Sequence, residues 1–187
     1  FWYPKLVLNE FYAGSYEVET VVPENYTVAS SGVEAKVESA GGGLTKHFFR
    51  AGRAWRFGVV LGEEMRYVEE RVKGVLVRSY YIPETGKWGE TLLSNACDAV
   101  EFYQDEFGFY PHESISVVPG YRGPTGGFPL ATGIAAIHDL DKLGEKALEF
   151  SRWITAHEIG HMYWGHHVLP CSLESPSWLW IGLGIYM

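Results

Sequence analysis

The chain has 187 residues, of which 47% are hydrophobic and 16% are aromatic, so it can form a packed core and does not have the composition of a disordered chain. Its 15 Lys and Arg against 23 Asp and Glu give a net charge of −8 at pH 7. This balance argues against nucleic acid and an anionic membrane surface as partners. No apolar run approaches the length of a membrane span, and no signal peptide is visible.

The first 82 residues have the pattern of short β-strands. Apolar and polar residues alternate over 16–22 and 33–38, which is typical of half-buried strands. Lys73-Gly74 has the character of a tight turn between two of the later strands. Such spacing is typical of a sandwich or part of one. The predicted strands cover 16–22, 33–38, 44–50, 54–60, 66–72 and 75–82.

A different period begins after Pro83 and Gly86, which interrupt both patterns. Apolar residues over 92–107 fall on one helical face, and Gly108 is well placed to end that helix. The sequence therefore predicts an α+β fold, with one domain over 1–82 and another over 83–187. The later predicted elements are a strand at 114–118, a Gly- and Pro-rich loop at 119–129, a strand at 133–138, a helix at 144–165 and a second helix after Pro176.

His157-Glu158-Ile159-Gly160-His161 is an H-E-x-x-H motif within the predicted helix 144–165. Residues four apart lie on one helical face, so both imidazoles can reach one metal ion. Glu158 is placed to accept a proton from a water at that ion and to pass it to a leaving group. The motif predicts zinc ligands at His157 and His161 and a general base at Glu158. The alternative is two histidines satisfied in a helix interface.

Other aromatic and histidine residues have simpler interpretations. Trp153, Tyr163 and Trp164 are predicted to be core aromatics. His166 and His167 are predicted to support the site without ligating, or to lie on the surface.

Three stretches together resemble the zinc aminopeptidases of the aminopeptidase N family, in the gluzincin clan. They are HMYWGHHV after the motif, FYQDEFGFYP at the end of the predicted helix 92–107, and VKGVLVRSYYIP at the predicted hairpin. The resemblance implies a partial N-terminal β-sandwich over 1–82, followed by the first half of a thermolysin-like α/β metallopeptidase catalytic domain over 83–187. It also implies a zinc cofactor and a peptide substrate, which the strand at 133–138 would bind by edge pairing.

The sequence departs from the family's pattern at the third zinc ligand. That ligand is a Glu on the following helix, and here Leu183 occupies its position. Glu174 and His167 are the substitutes that the chain offers, and a two-histidine or empty site is the remaining alternative.

A second departure concerns the stretch that binds the free amino group of the substrate in the family. The corresponding residues 126–130, GGFPL, contain no carboxylate. Gly126 and Gly127 are predicted to let the backbone approach a substrate, although a plain loop with positive φ explains them equally well.

Three functions fit these features. The first is a zinc metallopeptidase that hydrolyses peptide bonds through metal-activated water. The second is a pseudopeptidase that serves as a binding or scaffold module, which Leu183 and the missing carboxylate favour. A metallohydrolase with a non-peptide substrate is a third and weaker hypothesis.

Several properties stay open at this point. The chain begins at Phe1 and ends at Met187 inside an apolar stretch, which predicts a piece of a longer protein. Cys97 and Cys171 lack C-x-x-C spacing, so free thiols and a disulfide are both compatible with the sequence. Compartment, oligomeric state and the choice between exopeptidase and endopeptidase are not predicted.

Overall fold

A computed structural model describes residues 14–120, 126–168 and 181–186. The fold is α+β, as predicted. Its strands are β1 (Gly14–Pro23), β2 (Thr27–Ser30), β3 (Val33–Gly41), β4 (Leu44–Ala54), β5 (Val59–Gly62), β6 (Arg66–Val72), β7 (Val75–Tyr81), β8 (Ser114–Pro119), β9 (Gly126–Ala131) and β10 (Ile134–His138). Its helices are α1 (Gly89–Phe107), α2 (Ala147–Gly160) and α3 (Ile181–Tyr186), with 3-10 segments at Pro83–Trp88 and Leu140–Lys146.

The N-terminal strands form two small sheets that pack on each other. An antiparallel sheet has the order β1-β4-β3, and β2 pairs with β5. Apolar side chains from both sheets share one core, which is the principle of a β-sandwich. The predicted partial sandwich is therefore confirmed. Its buried residues are Val22, Val28, Phe49, Ala51, Ala54 and Phe57.

The second half is built on a five-stranded mixed sheet with the order β6-β7-β8-β10-β9. β7, β8 and β10 are parallel, whereas β6 and β9 run antiparallel to their neighbours. α1 and α2 contribute to the core that includes Val77, Val117 and Ile137 of this sheet. A separate core joins Tyr80 and Ala136 of the sheet to Ala29 of β2. The sheet is thus covered on both faces, which makes it a rigid platform.

Strand pairing bears on the division of the chain. β7 pairs with β8 across residue 82, in register Val77 to Ile115. A division at residue 82 would therefore cut through one sheet. The chain passes from the two small sheets to the large one between Gly62 and Arg66.

The helix that precedes the parallel strands follows the predicted pattern. α1 ends before Gly108, which has a φ of 78° and donates its N–H to Gln104 O at 2.8 Å. This left-handed residue is the usual helix terminator, and glycine adopts it without a Cβ penalty. No helix in the described part of the chain combines the length and apolar character needed to cross a bilayer.

Several predicted elements are wrong in their bounds. The strand at 54–60 does not exist, because β4 continues to Ala54 and β5 starts only at Val59, and the four-residue β2 was missed. The helix predicted over 144–165 is shorter, since a 3-10 segment with a non-helical Gly144 precedes α2. Of the second helix, α3 lies within the described residues, whereas its predicted start after Pro176 lies outside them.

The largest correction concerns residues 119–133. The stretch predicted as a loop contains β9, which pairs with β10 and forms the edge of the sheet among the described residues. The strand predicted at 133–138 is therefore not an edge: β10 lies between β8 and β9. Pro129 lies in β9, and an edge strand is where a sheet tolerates proline.

Candidate metal centre

The H-E-x-x-H motif lies at the C-terminal end of α2. His157 and Glu158 are in its last turn, and His161 is the C-cap residue with helical φ and ψ of −61° and −18°. The His161 N–H donates to His157 O at 3.2 Å, so the helical spacing continues through the motif. His157 is half-buried, Glu158 is 2% exposed and His161 is 8% exposed. All three side chains therefore converge beneath the protein surface.

The two imidazoles face one another through the same ring atom. His157 Nε2 and His161 Nε2 are 3.2 Å apart, with ring centroids 4.6 Å apart and the ring planes at 76°. Two nitrogens at the usual zinc–nitrogen distance, in a tetrahedron, would be about 3.4 Å apart. One ligand atom from each of His157, Glu158 and His161 lies within 4.8 Å of the others. This arrangement fits a zinc ion without rearrangement of the helix.

The carboxyl group of Glu158 is buried without a hydrogen-bond partner for Oε2. Burial raises the pKa of Glu158 to about 8. A buried carboxylate is costly unless a cation or donors compensate it, so the orphaned oxygen indicates a missing positive partner. A metal ion between the two imidazoles would be such a partner.

Gly127 brings β9 against the same carboxyl group. It pairs with Ile137 of β10, and a Cβ built on it would lie 2.7 Å from Glu158 Cγ and 3.0 Å from Glu158 Oε1. Any larger residue would therefore displace Glu158. Gly126 is the next residue along the strand and pairs with His138. Both glycines are thus strand residues and not members of a plain loop, and Gly127 lies against Glu158.

His161 has the orientation that metal-binding histidines usually show. Its Nδ1 lies 3.2 Å from Trp164 O, so Nδ1–H donates to this carbonyl and Nε2 keeps its lone pair. Burial, with the neighbouring His157, lowers the pKa of His161. The neutral imidazole is the form that binds a metal ion.

The aromatic residues around the motif differ in how well they match the prediction. Trp153 was predicted to be a core aromatic, and this is wrong: it is 46% exposed and stacks on the His157 ring. Tyr163 is a core residue as predicted, and its O–H donates to Phe109 O. Trp164 is partly buried against the same core.

None of the positions considered for a third ligand joins the metal-binding group among the described residues. Leu183 lies half-buried in α3, and its hydrocarbon side chain cannot bind a metal ion. His167 packs its ring against Phe109, with centroids 5.6 Å apart, and does not join the His157, Glu158 and His161 group found among the described residues. Glu174 lies outside the described residues.

A hydrogen-bond network that the sequence did not indicate fixes the turn after α2. The Thr132 hydroxyl accepts the N–H groups of Trp55 and Arg56 at 3.1 and 3.2 Å. Its own hydrogen is then available to His166 Nδ1, 2.9 Å away. His166 is 3% exposed, and burial is the main cause that lowers its pKa to about 3. His166 therefore acts as a buried neutral acceptor.

A second contact reinforces this attachment. The Gly133 N–H donates to Met162 Sδ at 3.1 Å. The turn between β9 and β10 is thus attached to Met162 and His166, which both follow the end of α2. No sequence signal marked Thr132, because its partners lie 34 and more residues away.

Comparison with known proteins identifies the fold. No family model and no curated protein matches the sequence. Solved structures do match, among them the M1 zinc metallopeptidase of Deinococcus radiodurans and a glutamate-to-alanine mutant of it. Their TM-scores are 0.68 and 0.69, with sequence identities of 19% and 18%. The likeness is one of fold. Each match covers 93% of this chain, which spans 39% of the length of the solved protein.

Proposed function

We propose that this chain carries the metal-binding part of a zinc-dependent metallopeptidase of the aminopeptidase-like type, with a peptide as substrate. The observation that carries the proposal is the pair of Nε2 atoms of His157 and His161, 3.2 Å apart beside the unpartnered Glu158 Oε2. The fold likeness to a solved zinc metallopeptidase supports zinc as the metal and peptides as the substrate class.

Each residue of the motif has its own role in the proposed reaction. His157 and His161 would hold zinc, which when bound polarises a peptide carbonyl and makes a water molecule more acidic. Glu158 would accept a proton from the attacking water and transfer it to the departing amine. The position of its carboxyl group supports this role, because the group is buried beside the two imidazoles and its Oε2 has no other hydrogen-bond partner among the described residues.

The edge strand supports a peptide as the substrate. β9 leaves one backbone edge unpaired among the described residues, and an extended peptide can add to such an edge as a further strand. Gly126 and Gly127 are then the substrate-binding residues, because both lie on this edge strand and Gly127 brings it next to Glu158. This assignment replaces the predicted role of the strand at 133–138.

The substrate's free amino group has no carboxylate partner in residues 126–130, so the proposal does not extend to exopeptidase specificity. His167 does not join the metal cluster, which makes Glu174 the carboxylate to test as a third ligand.

A pseudopeptidase is the second candidate function. It is favoured by Leu183, which places a hydrocarbon in α3 where the family's pattern has a ligand. Such a domain would retain the fold and serve as a binding or scaffold module without turnover.

Metal analysis of protein purified without added zinc separates the two. The proposal predicts about one zinc per chain, with none retained in His157→Ala. Failure to bind zinc even when it is supplied would contradict the peptidase and favour the pseudopeptidase. Cleavage of N-blocked and free-amine peptides would then report the substrate class, and protein that binds zinc but cleaves neither would also favour the pseudopeptidase.

A further inference from the structure

Trp153 lies one helical turn before His157 and covers one face of its imidazole. The ring centroids are 5.4 Å apart and the ring planes differ by 10°, which is a stacked arrangement. The Trp153 side chain is 46% exposed, so the core does not account for its position. The contact with the His157 ring is therefore the feature of Trp153 that bears on the candidate metal centre.

The two histidines of the motif differ in what holds them. His161 donates its Nδ1–H to Trp164 O. His157 Nδ1 is buried and has no hydrogen-bond partner in the described structure. Metal-binding histidines usually fix their ring orientation through a hydrogen bond from the second nitrogen. His157 has no such hydrogen bond among the described residues, so another contact must fix the orientation of its ring.

Stacking supplies such a contact. Rotation of the His157 ring about χ2, a broad and soft torsion, would lose the parallel contact with the indole. Phe150 packs on Trp153 in turn, with centroids 5.5 Å apart and the ring planes at 46°, and this contact supports the indole. The aromatic rings thus follow one face of α2 and end at the imidazole whose Nε2 faces His161.

The electrostatics act in the same direction. An imidazole that binds a cation gains positive charge, and the face of an indole is the aromatic surface that attracts positive charge best. The stack is therefore more favourable with metal bound than without it.

We propose that Trp153 is a positioning residue for the metal centre, which holds the His157 imidazole in its ligating orientation by stacking where a hydrogen bond is absent. The inference rests on the proposed zinc site at His157 and His161. It adds a requirement outside the H-E-x-x-H motif.

Two substitutions isolate the aromatic face. Trp153→Leu removes it and keeps apolar bulk, whereas Trp153→Phe keeps an aromatic surface. Leu148→Ala is the matched control, since Leu148 is an exposed apolar residue of α2 (53%) with no place in the ring stack. Zinc dissociation constants are measured by competition with a zinc-binding dye at pH 7. We expect Trp153→Leu to raise the constant by about 10-fold or more. Trp153→Phe recovers most of the affinity, and Leu148→Ala matches the wild type.

A second readout does not depend on metal. In the metal-free protein, the carbon-bound ring protons of His157 lie over the indole face and resonate upfield in a proton NMR spectrum. Trp153→Leu moves them downfield, and Trp153→Phe moves them less. Circular dichroism of each variant confirms the fold.

The outcomes distinguish this inference from the proposed function. A wild type that binds zinc, with Trp153→Leu binding as tightly, overturns the inference alone. A wild type without zinc affinity overturns the proposed function and the inference with it. Unshifted His157 signals in Trp153→Leu also overturn the inference, because they show that the stack does not exist.

Discussion

The two sides of the candidate metal centre differ in the metal-binding and charged side chains that they carry. The helix side is the end of α2, where His157, Glu158 and His161 are brought together below the surface. The strand side consists of β9 and α3, where residues 126–130 contain no carboxylate and Leu183 has a hydrocarbon side chain. The helix side brings together residues that could hold a metal ion, whereas residues 126–130 and Leu183 on the strand side offer no carboxylate. Under the proposed function, metal chemistry and substrate specificity belong to different sides, and mutations can test each side.

Loss of the proposed general base should have the largest effect on turnover. Glu158→Gln keeps the shape of the side chain but removes its capacity to accept a proton, so we expect peptide hydrolysis to fall by about 10²- to 10⁴-fold. Zinc stoichiometry, measured on the same samples, should be unchanged. Hydrolysis at the wild-type rate would show that another group takes the proton.

A substitution at Gly127 tests the contact between β9 on the strand side and Glu158 on the helix side. In Gly127→Ala the new Cβ would clash with Glu158 Cγ, 2.7 Å away, and displace the carboxyl group. A displacement of this kind should lower turnover by about 100-fold with zinc retained. Gly52→Ala is the matched control, because nothing lies within 4 Å of a Cβ at that position. Equal turnover in the two variants would contradict the contact between β9 and Glu158.

The attachment of the helix side should depend on pH through His166. Its folded pKa of about 3 lies below the unfolded value of 6.5, so the unfolded chain binds the proton more tightly. The resulting stability is fully present above pH 6.5 and is lost as the pH falls toward 3. Between pH 7 and pH 5 the free energy of unfolding should fall by about 2 kcal/mol from this group.

Chemical denaturation at the two pH values measures this loss. His166→Asn keeps an acceptor for Thr132 and cannot titrate, so the pH dependence of its unfolding free energy should be smaller by the same amount. The buried His112, with a pKa lowered to about 4, adds a slope of the same sign in both proteins. An identical pH dependence in wild type and variant would contradict a neutral buried His166.

A carboxylate introduced on the strand side tests whether α3 can supply a third zinc ligand. If α3 presents position 183 to the metal centre, Leu183→Glu should lower the zinc dissociation constant by about 10-fold, since a third protein ligand completes the usual set for zinc. Leu183→Gln is the control for added polarity. Equal affinities in the two variants would show that position 183 does not face the metal, and would leave Glu174 as the ligand to test.

The sequence predicted the helix side better than the strand side, for a physical reason. The spacing of His157 and His161 depends on the local helical period alone, so a motif is enough to place both rings on one face. The α+β class also followed from local patterns. β9 was missed because its glycines and Pro129 resemble a loop, and only pairing with β10 makes them a strand.

Side-chain environment was harder to predict. Trp153 was expected in the core because it is aromatic, but the buried face of α2 is set by the sheet on which the helix packs. That face carries Ser151, Thr155 and Glu158, and it leaves Trp153 exposed. Thr132 gave no signal because its role arises from contacts that folding creates between distant segments.

X-ray absorption spectroscopy of the zinc-loaded protein tests the central claim most directly, because it reports the atoms bound to the metal. The account predicts two imidazole nitrogens at about 2.0–2.1 Å, and loss of one of them in His161→Ala. A zinc ion bound without imidazole, or a spectrum that His161→Ala leaves unchanged, would contradict it.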